Sequence, residues 1–248
     1  MTRTIREAYQ KIMDKEPHGK NQEGSLLRQV ILGGQDGLVN VLGIVLGLAG
    51  AVAVNPNISS SALLVGGLAA TFAESVSMAA VAYTSGKAQR DFYYKELETE
   101  KREMREIPEV ERQEIRLIYM KKGFRGRQLE GIVEKICSDD ELWLETMMTE
   151  ELGLAESRSI NPLREGAVVG FASFIGSLVP LAPFFFMNAS AAIVPSLAVT
   201  AAVLFGAGAY KGRTTAGEWW KAGLEMALIG MGAAVIGYIV GSLAGKVF

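Results

Sequence analysis

Four glutamates in KELETEKREMREIPEVERQEI, Lys95 to Ile115, stand without a cationic neighbour on their own helices. A Lys or Arg three or four positions from a helical Glu stabilises it by roughly 0.2–0.5 kcal/mol, and a like charge there costs a similar amount. Glu98 has Lys95, Lys101 and Arg102 at those spacings, Glu106 has Arg102, and Glu109 has Arg112. Around Glu100, Glu103, Glu111 and Glu114 every such position holds another Glu or an uncharged residue. Glu100 and Glu103 are three apart, as are Glu111 and Glu114, so each pair lies on one helical face. Further on, in LETMMTEELGL, Met147 and Met148 precede Glu151 by four and three positions and set a carboxylate beside two thioethers. Brought together, unpaired carboxylates repel one another and their pKa values rise, unless a cation sits among them.

The donor types narrow the cation. Calcium and magnesium take oxygen almost exclusively, whereas a thioether adds softness that suits a late transition metal. Glutamate with methionine, and no histidine or cysteine, points to Fe(II) first, with Mn(II), Co(II) or Zn(II) behind it. The competing reading is a solvated acidic face with two methionines filling gaps in a core, and spacing alone leaves both open.

A second set of acids falls in apolar sequence. Asp36 sits in GGQDGLVNVLG with Asn40 one turn further on, and Glu74 and Met78 are four apart in TFAESVSMAAVAY. An ionisable carboxyl at mid-bilayer costs about 2.5–3.5 kcal/mol on insertion scales, which makes a pair of them a functional candidate by default. The structural alternatives are an interfacial Asp36 and a protonated Glu74 bonded to a neighbouring helix. Glu225 and Met226 form a weaker set near the start of the last apolar stretch, where interfacial placement fits as well. Pro180 and Pro183, in SLVPLAPFFFM, either break their span and expose carbonyls or only kink it.

Five apolar stretches position these residues, near 30–54, 62–84, 166–187, 191–210 and 222–243. Each is long enough for a hydrocarbon layer about 30 Å thick. Mean hydropathy is above zero. The charge is concentrated elsewhere: 18 of 27 acidic and 14 of 25 basic residues lie between Ser85 and Ile160. The links 55–61 and 188–190 carry no charge, so the positive-inside rule puts the N-terminal arm, the insert and the link 211–221 in the cytoplasm. The expected fold class is an all-α membrane protein of five transmembrane helices, with a cytoplasmic helical metal-binding domain inserted between the second and third. The expected division is an N-terminal arm over 1–25, helices 1–2 over 26–84, the insert over 85–160 and helices 3–5 over 161–248.

Within the insert, the second span is expected to continue to Ile107 as a stalk about 70 Å long in all. Pro108 then opens a helix that Gly123 ends. A third helix covers about 127–136, and a fourth runs from a Ser138 or Asp139 cap to Gly153. No strand pattern is present. Gly43 with Gly47, and Gly237 with Gly241 and Gly245, recur at spacings of four, which predicts close helix packing within a subunit or between two.

Several classes are excluded or disfavoured. A net charge of −2 gives no reason to expect nucleic acid as a partner. One cysteine, Cys137, rules out an internal disulfide and Cys-rich clusters, and one histidine, His18, rules out a His-rich metal site. The first 25 residues are charged throughout, lack the apolar core of a cleaved signal peptide, and read as a short amphipathic or partly disordered arm.

With these residues assembled, the chain resembles the vacuolar iron transporter family, which includes plant members, the yeast vacuolar iron and manganese importer and prokaryotic relatives; this chain reads as a prokaryotic-type member. The carriers are DGL at 36–38, Ser77–Met78 with Tyr83, Ile107–Pro108, LWLETMMTEELGL at 142–154 and SLVPLAPFFF. The resemblance implies a homodimer of five-span subunits that moves Fe(II) out of the cytosol in exchange for protons. It implies an antiporter in a lipid bilayer rather than an enzyme, with no prosthetic group. It also implies a cytoplasmic metal site of Glu100, Glu103, Glu111, Glu114, Met147, Met148 and Glu151, and a path through Asp36 and Met78. There is one departure. Plant members carry the second-span glutamate about two turns before the methionine, where this chain has Ala70, while Glu74 lies one turn before it.

The expected function is therefore proton-coupled export of a divalent metal by an integral protein of the cell inner membrane, or alternatively of a vacuolar membrane. The rival is a membrane-anchored iron-binding, storage or ferroxidase protein. Di-iron carboxylate bundles normally supply Glu-x-x-His, and the insert contains no histidine.

Overall fold

The structure, a computed structural model, describes residues 20–55, 57–154, 160–214 and 217–247. Among them all regular structure is helical. The elements are α1 (Lys20–Val54), α2 (Ser60–Glu106), α3 (Pro108–Lys121), α4 (Gly126–Cys137), α5 (Asp140–Thr146), α6 (Pro162–Phe186), α7 (Ala189–Thr214) and α8 (Trp219–Val247); a π-helical turn, Met147–Glu151, follows α5 directly. Five of them, α1 from Leu26 onward together with α2, α6, α7 and α8, are long and apolar enough to cross a membrane.

Most of the expected arm, including His18, lies outside the described residues. The described part of the arm is helical: α1 begins at Lys20 and runs on into the first apolar stretch.

The chain divides into two compact units, one of 1–82 with 164–248 and one of 83–163. In the first, α1 and α8 meet along their glycines. A Cβ on Gly237 would overlap the Gly43 carbonyl, and one on Gly241 would overlap that of Gly47. The spacing of four thus serves contact within one subunit, backbone against backbone. Leu42, Val45, Leu46, Leu63, Leu181 and Ala234 pack into the core beside this contact. Proline does not break α6, which runs through Pro180 and Pro183 to Phe186. The buried Ser196 hydroxyl of α7 donates to the Pro180 carbonyl at 2.7 Å.

In the second unit Pro108 stops α2 and starts α3. The residue before a proline is pushed out of the α region, and Ile107 sits at φ −134°, ψ 49°. Gly123, at φ 101°, follows α3, and Gly153, at φ 65°, follows the π turn. Asp139 accepts from the backbone N–H groups of Glu141 at 3.1 Å and Leu142 at 3.2 Å and so caps α5. Ser138 instead donates to the Lys135 carbonyl at 2.8 Å. Ile115, Leu129, Val133, Ile136, Trp143 and Met147 form the core of the unit. An Arg116–Glu130 fork, at 2.9 and 2.7 Å, ties α3 to α4 at the surface.

Candidate functional site

The last turn before Gly153 departs from the expected α-helix. Leu152 N–H reaches back to the Met147 carbonyl at 3.2 Å, a bond five residues long, so Met147, Met148 and Glu151 sit on a π turn. Such turns are rare and often mark functional positions. The wider turn brings residues four apart, here Met147 and Glu151, closer to one line along the axis than an α turn does.

The five glutamates of the unit form a gradient of exposure. Glu100 and Glu111 are buried, at 5% and 2% exposure. Glu103 and Glu114 are half-buried, and Glu151 is exposed. Glu100 Oε2 and Glu111 Oε2 are both buried with no hydrogen-bond partner. Burial first, and then the carboxylates of Glu151, Glu103, Glu114 and Glu96, push Glu100 up to about 7. Burial, followed by Glu114, Glu100, Glu103 and Glu151, pushes Glu111 up to about 7. Glu151, although largely exposed, is raised by partial desolvation on its inner side and by Glu114 and Glu103. The four glutamates without helix partners, with Glu151, thus lie in one another's field. Among the described residues none of the five has an ion-pair partner, although Lys101 pairs with Glu98 at 2.9 Å and Lys122 with Glu150. Glu96, which the sequence did not single out, adds to the repulsion on Glu100 from one turn away.

Their convergence is electrostatic rather than chelating. Among the described residues no three His, Cys, Asp or Glu side chains stand close enough to hold one ion by themselves, as mutual repulsion dictates for acids with nothing between them. The sulfurs lie on the inner side. Met148 is buried at 3% exposure, and Met147, at 0%, belongs to the apolar core with Trp143 and Ile115. Met147 therefore serves the core of the unit.

In the first unit, Asn40 of α1 donates from Nδ2 to Glu74 Oε1 of α2 at 3.0 Å. Asp36 lies one turn before Asn40 on α1, near enough to both Asn40 and Glu74 to feel them electrostatically. Asp36, Asn40 and Glu74 thus form one polar group among apolar helices. Met78, half-buried, follows Glu74 by one turn on α2. Ala70 packs against the apolar core, so here it is Glu74 that reaches the α1 acid. Met226 is buried with Leu38 and Leu204 and serves packing, while Glu225 beside it is exposed.

The chain as a whole is similar to a set of known proteins. The model of the VIT family matches residues 27–242. The vacuolar iron transporter 1 of Tulipa gesneriana is 33% identical over 86% of this chain and 85% of its own length. The protein of that name from Eucalyptus grandis is 32% identical over 90% and 88%, and the vacuolar iron transporter of Toxoplasma gondii is 32% identical over 92% and 77%. A match that runs from the first apolar helix to the last, and takes in the glutamate-rich unit between, leaves one conclusion: the chain belongs to the VIT family.

Proposed function

We propose that the protein carries divalent transition metal, Fe(II) first and Mn(II), Co(II) or Zn(II) behind it, across a membrane and out of the cytosol in exchange for protons. The observation that carries this reading is the pair of buried carboxyl oxygens on Glu100 and Glu111, which lack any donor and lie in the field of Glu103, Glu114 and Glu151. Such acids gain most from a divalent cation. Met147 and Met148 would add softness beside them.

The residues 85–160 serve as a cytoplasmic collecting domain, and the N-terminus lies on the same side. Asp36, Glu74 and Met78 form the path through the spans, and two subunits make the working dimer. Protons from the far side compete for the path carboxylates and release the metal, so uptake and discharge follow from one competition. The names of the relatives, vacuolar iron transporters, support iron as the first cargo to test. The test is reconstitution of the full chain in liposomes. Fe(II) should accumulate only with a proton gradient, and accumulation without a gradient would remove the coupling.

A further inference from the structure

One residue of the polar group among the spans has no part in the function proposed above. Asn40 stands one turn after Asp36 on α1 and donates to Glu74 of α2 at 3.0 Å, with Asp36 near both. A carboxyl oxygen accepts this bond, so the NH2 end of the amide faces Glu74. A single uncharged group thus lies between an acid of its own helix and an acid of another.

A divalent cation drawn to Asp36 and Glu74 would meet the positive edge of that amide. Two features remove the conflict. The terminal torsion of Asn is broad and roughly two-fold, so half a turn exchanges NH2 for the carbonyl oxygen. Asn40 is also exposed within its own subunit, so no neighbour of that subunit packs the amide into one sense. After the turn, Oδ1 is a neutral oxygen donor of the kind that completes carboxylate sites for divalent ions.

We propose that Asn40 is a specificity-determining residue of the metal path: its amide bridges Asp36 and Glu74 while no cation is present, and turns over to give Oδ1 to the cation when one arrives. The turn changes no covalent bond and needs no proton. It lets the site offer two acids and a neutral oxygen to the ion without leaving two bare charges behind when the ion departs. The inference rests on the transport reading of Asp36 and Glu74.

A purely structural amide, which only separates the two acids, predicts the opposite behaviour on removal. The acids would then be less well neutralised and would hold a cation more tightly. The experiment is Fe(II) uptake by the full chain in liposomes, measured as KM and maximal rate for wild type, Asn40→Leu, Asn40→Asp and the control Asp36→Ala. If Asn40 is a ligand, Asn40→Leu raises KM at least tenfold. Asn40→Asp, which keeps the oxygen and adds charge, lowers both KM and the maximal rate, because release becomes slow. Asn40→Ala reads the same sign should the leucine variant fail to assemble. An unchanged or lowered KM in the leucine or alanine variant overturns the proposal. If that happens while wild type transports and Asp36→Ala does not, the transport reading stands and only the role of Asn40 falls; a wild type that moves no metal removes both.

Discussion

In the unit of 83–163, Glu100 and Glu111 bury carboxyl oxygens that have no donor and lie in the field of other carboxylates. Among the apolar helices, Glu74 accepts from the amide of Asn40 with Asp36 close by. Both regions keep acids away from Lys and Arg, and they treat the remaining charge differently. The first leaves it uncompensated, which costs stability and, on the function proposed above, favours capture of a cation. The second compensates it with a dipole that can reverse, which keeps the gain on binding small. A site that captures gains from the larger difference between empty and filled states, whereas a site that passes an ion along must also let it go.

The largest expected break in this comparison comes from Asp36→Ala. Uptake of Fe(II) by the reconstituted protein should fall at least a hundredfold, with Met78→Ala acting in the same direction, while metal binding by the insert, measured by calorimetry in detergent, stays as in wild type. Normal accumulation in both variants would dispose of the path.

Next in size is the pH dependence of capture. With Glu100 and Glu111 pushed up to about 7, both hold protons below that pH, and a cation has to displace them. Affinity at the insert should weaken as pH falls from 8 to 6, by up to about tenfold per pH unit for each proton displaced. Titration calorimetry in buffers of different ionisation enthalpy counts those protons. An affinity flat across the range would show that the buried acids are not the ones that bind.

The charge side of both regions was legible in the sequence because helix neighbours at three and four positions can be read from a string of letters. That is how Glu100, Glu103, Glu111 and Glu114 stood out, and how Pro108, Asp139 and the glycines of α1 and α8 announced a turn, a cap and a close contact. Three features were hidden, each for a physical reason. The π turn at Met147–Glu151 inserts a residue into a helix whose propensities read as ordinary α. The burial of Met147 among Trp143 and Ile115 depends on how α3, α4 and α5 close over it, and no periodicity in a seven-residue helix reports that. The bond from Asn40 to Glu74 joins residues 34 positions apart and follows from how α1 and α2 pack, so Asn40 was visible only as a neighbour of Asp36.

A smaller effect follows from replacing the buried acids with their neutral isosteres. A folded pKa of about 7 against an ordinary value of 4.5 means that the folded state binds protons more tightly than the unfolded one. Stability therefore falls as pH rises from about 4.5 to 7 and stays low above it. Glu100→Gln and Glu111→Gln should each stabilise the metal-free unit at pH 8 by on the order of 1 kcal/mol, after allowance for solvent screening. The gain should vanish by pH 4, and so should the stabilisation that Fe(II) gives wild type at pH 8. Trp143, in the core of that unit, reports its unfolding by fluorescence once Trp219 and Trp220 are replaced by Phe. A destabilised double variant at pH 8 would mean that the two acids hold the fold together rather than strain it.

The smallest effect belongs to Lys122, which pairs with Glu150 on the π turn and lies 5.0 Å from the centre of the Tyr119 ring. The pair is partly exposed, at 41% and 36% for the two side chains, and such pairs contribute about 0–1 kcal/mol. Lys122 anchors the turn that carries Met148 and Glu151 while leaving every carboxylate of the cluster unpaired. Lys122→Ala should therefore weaken metal binding at the insert by less than about fivefold, and the charge exchange Lys122→Glu with Glu150→Lys should restore it. If the alanine variant binds metal more tightly than wild type, the lysine acts on the cluster as a competing cation, and the contrast between an uncompensated site and a compensated one loses its first half.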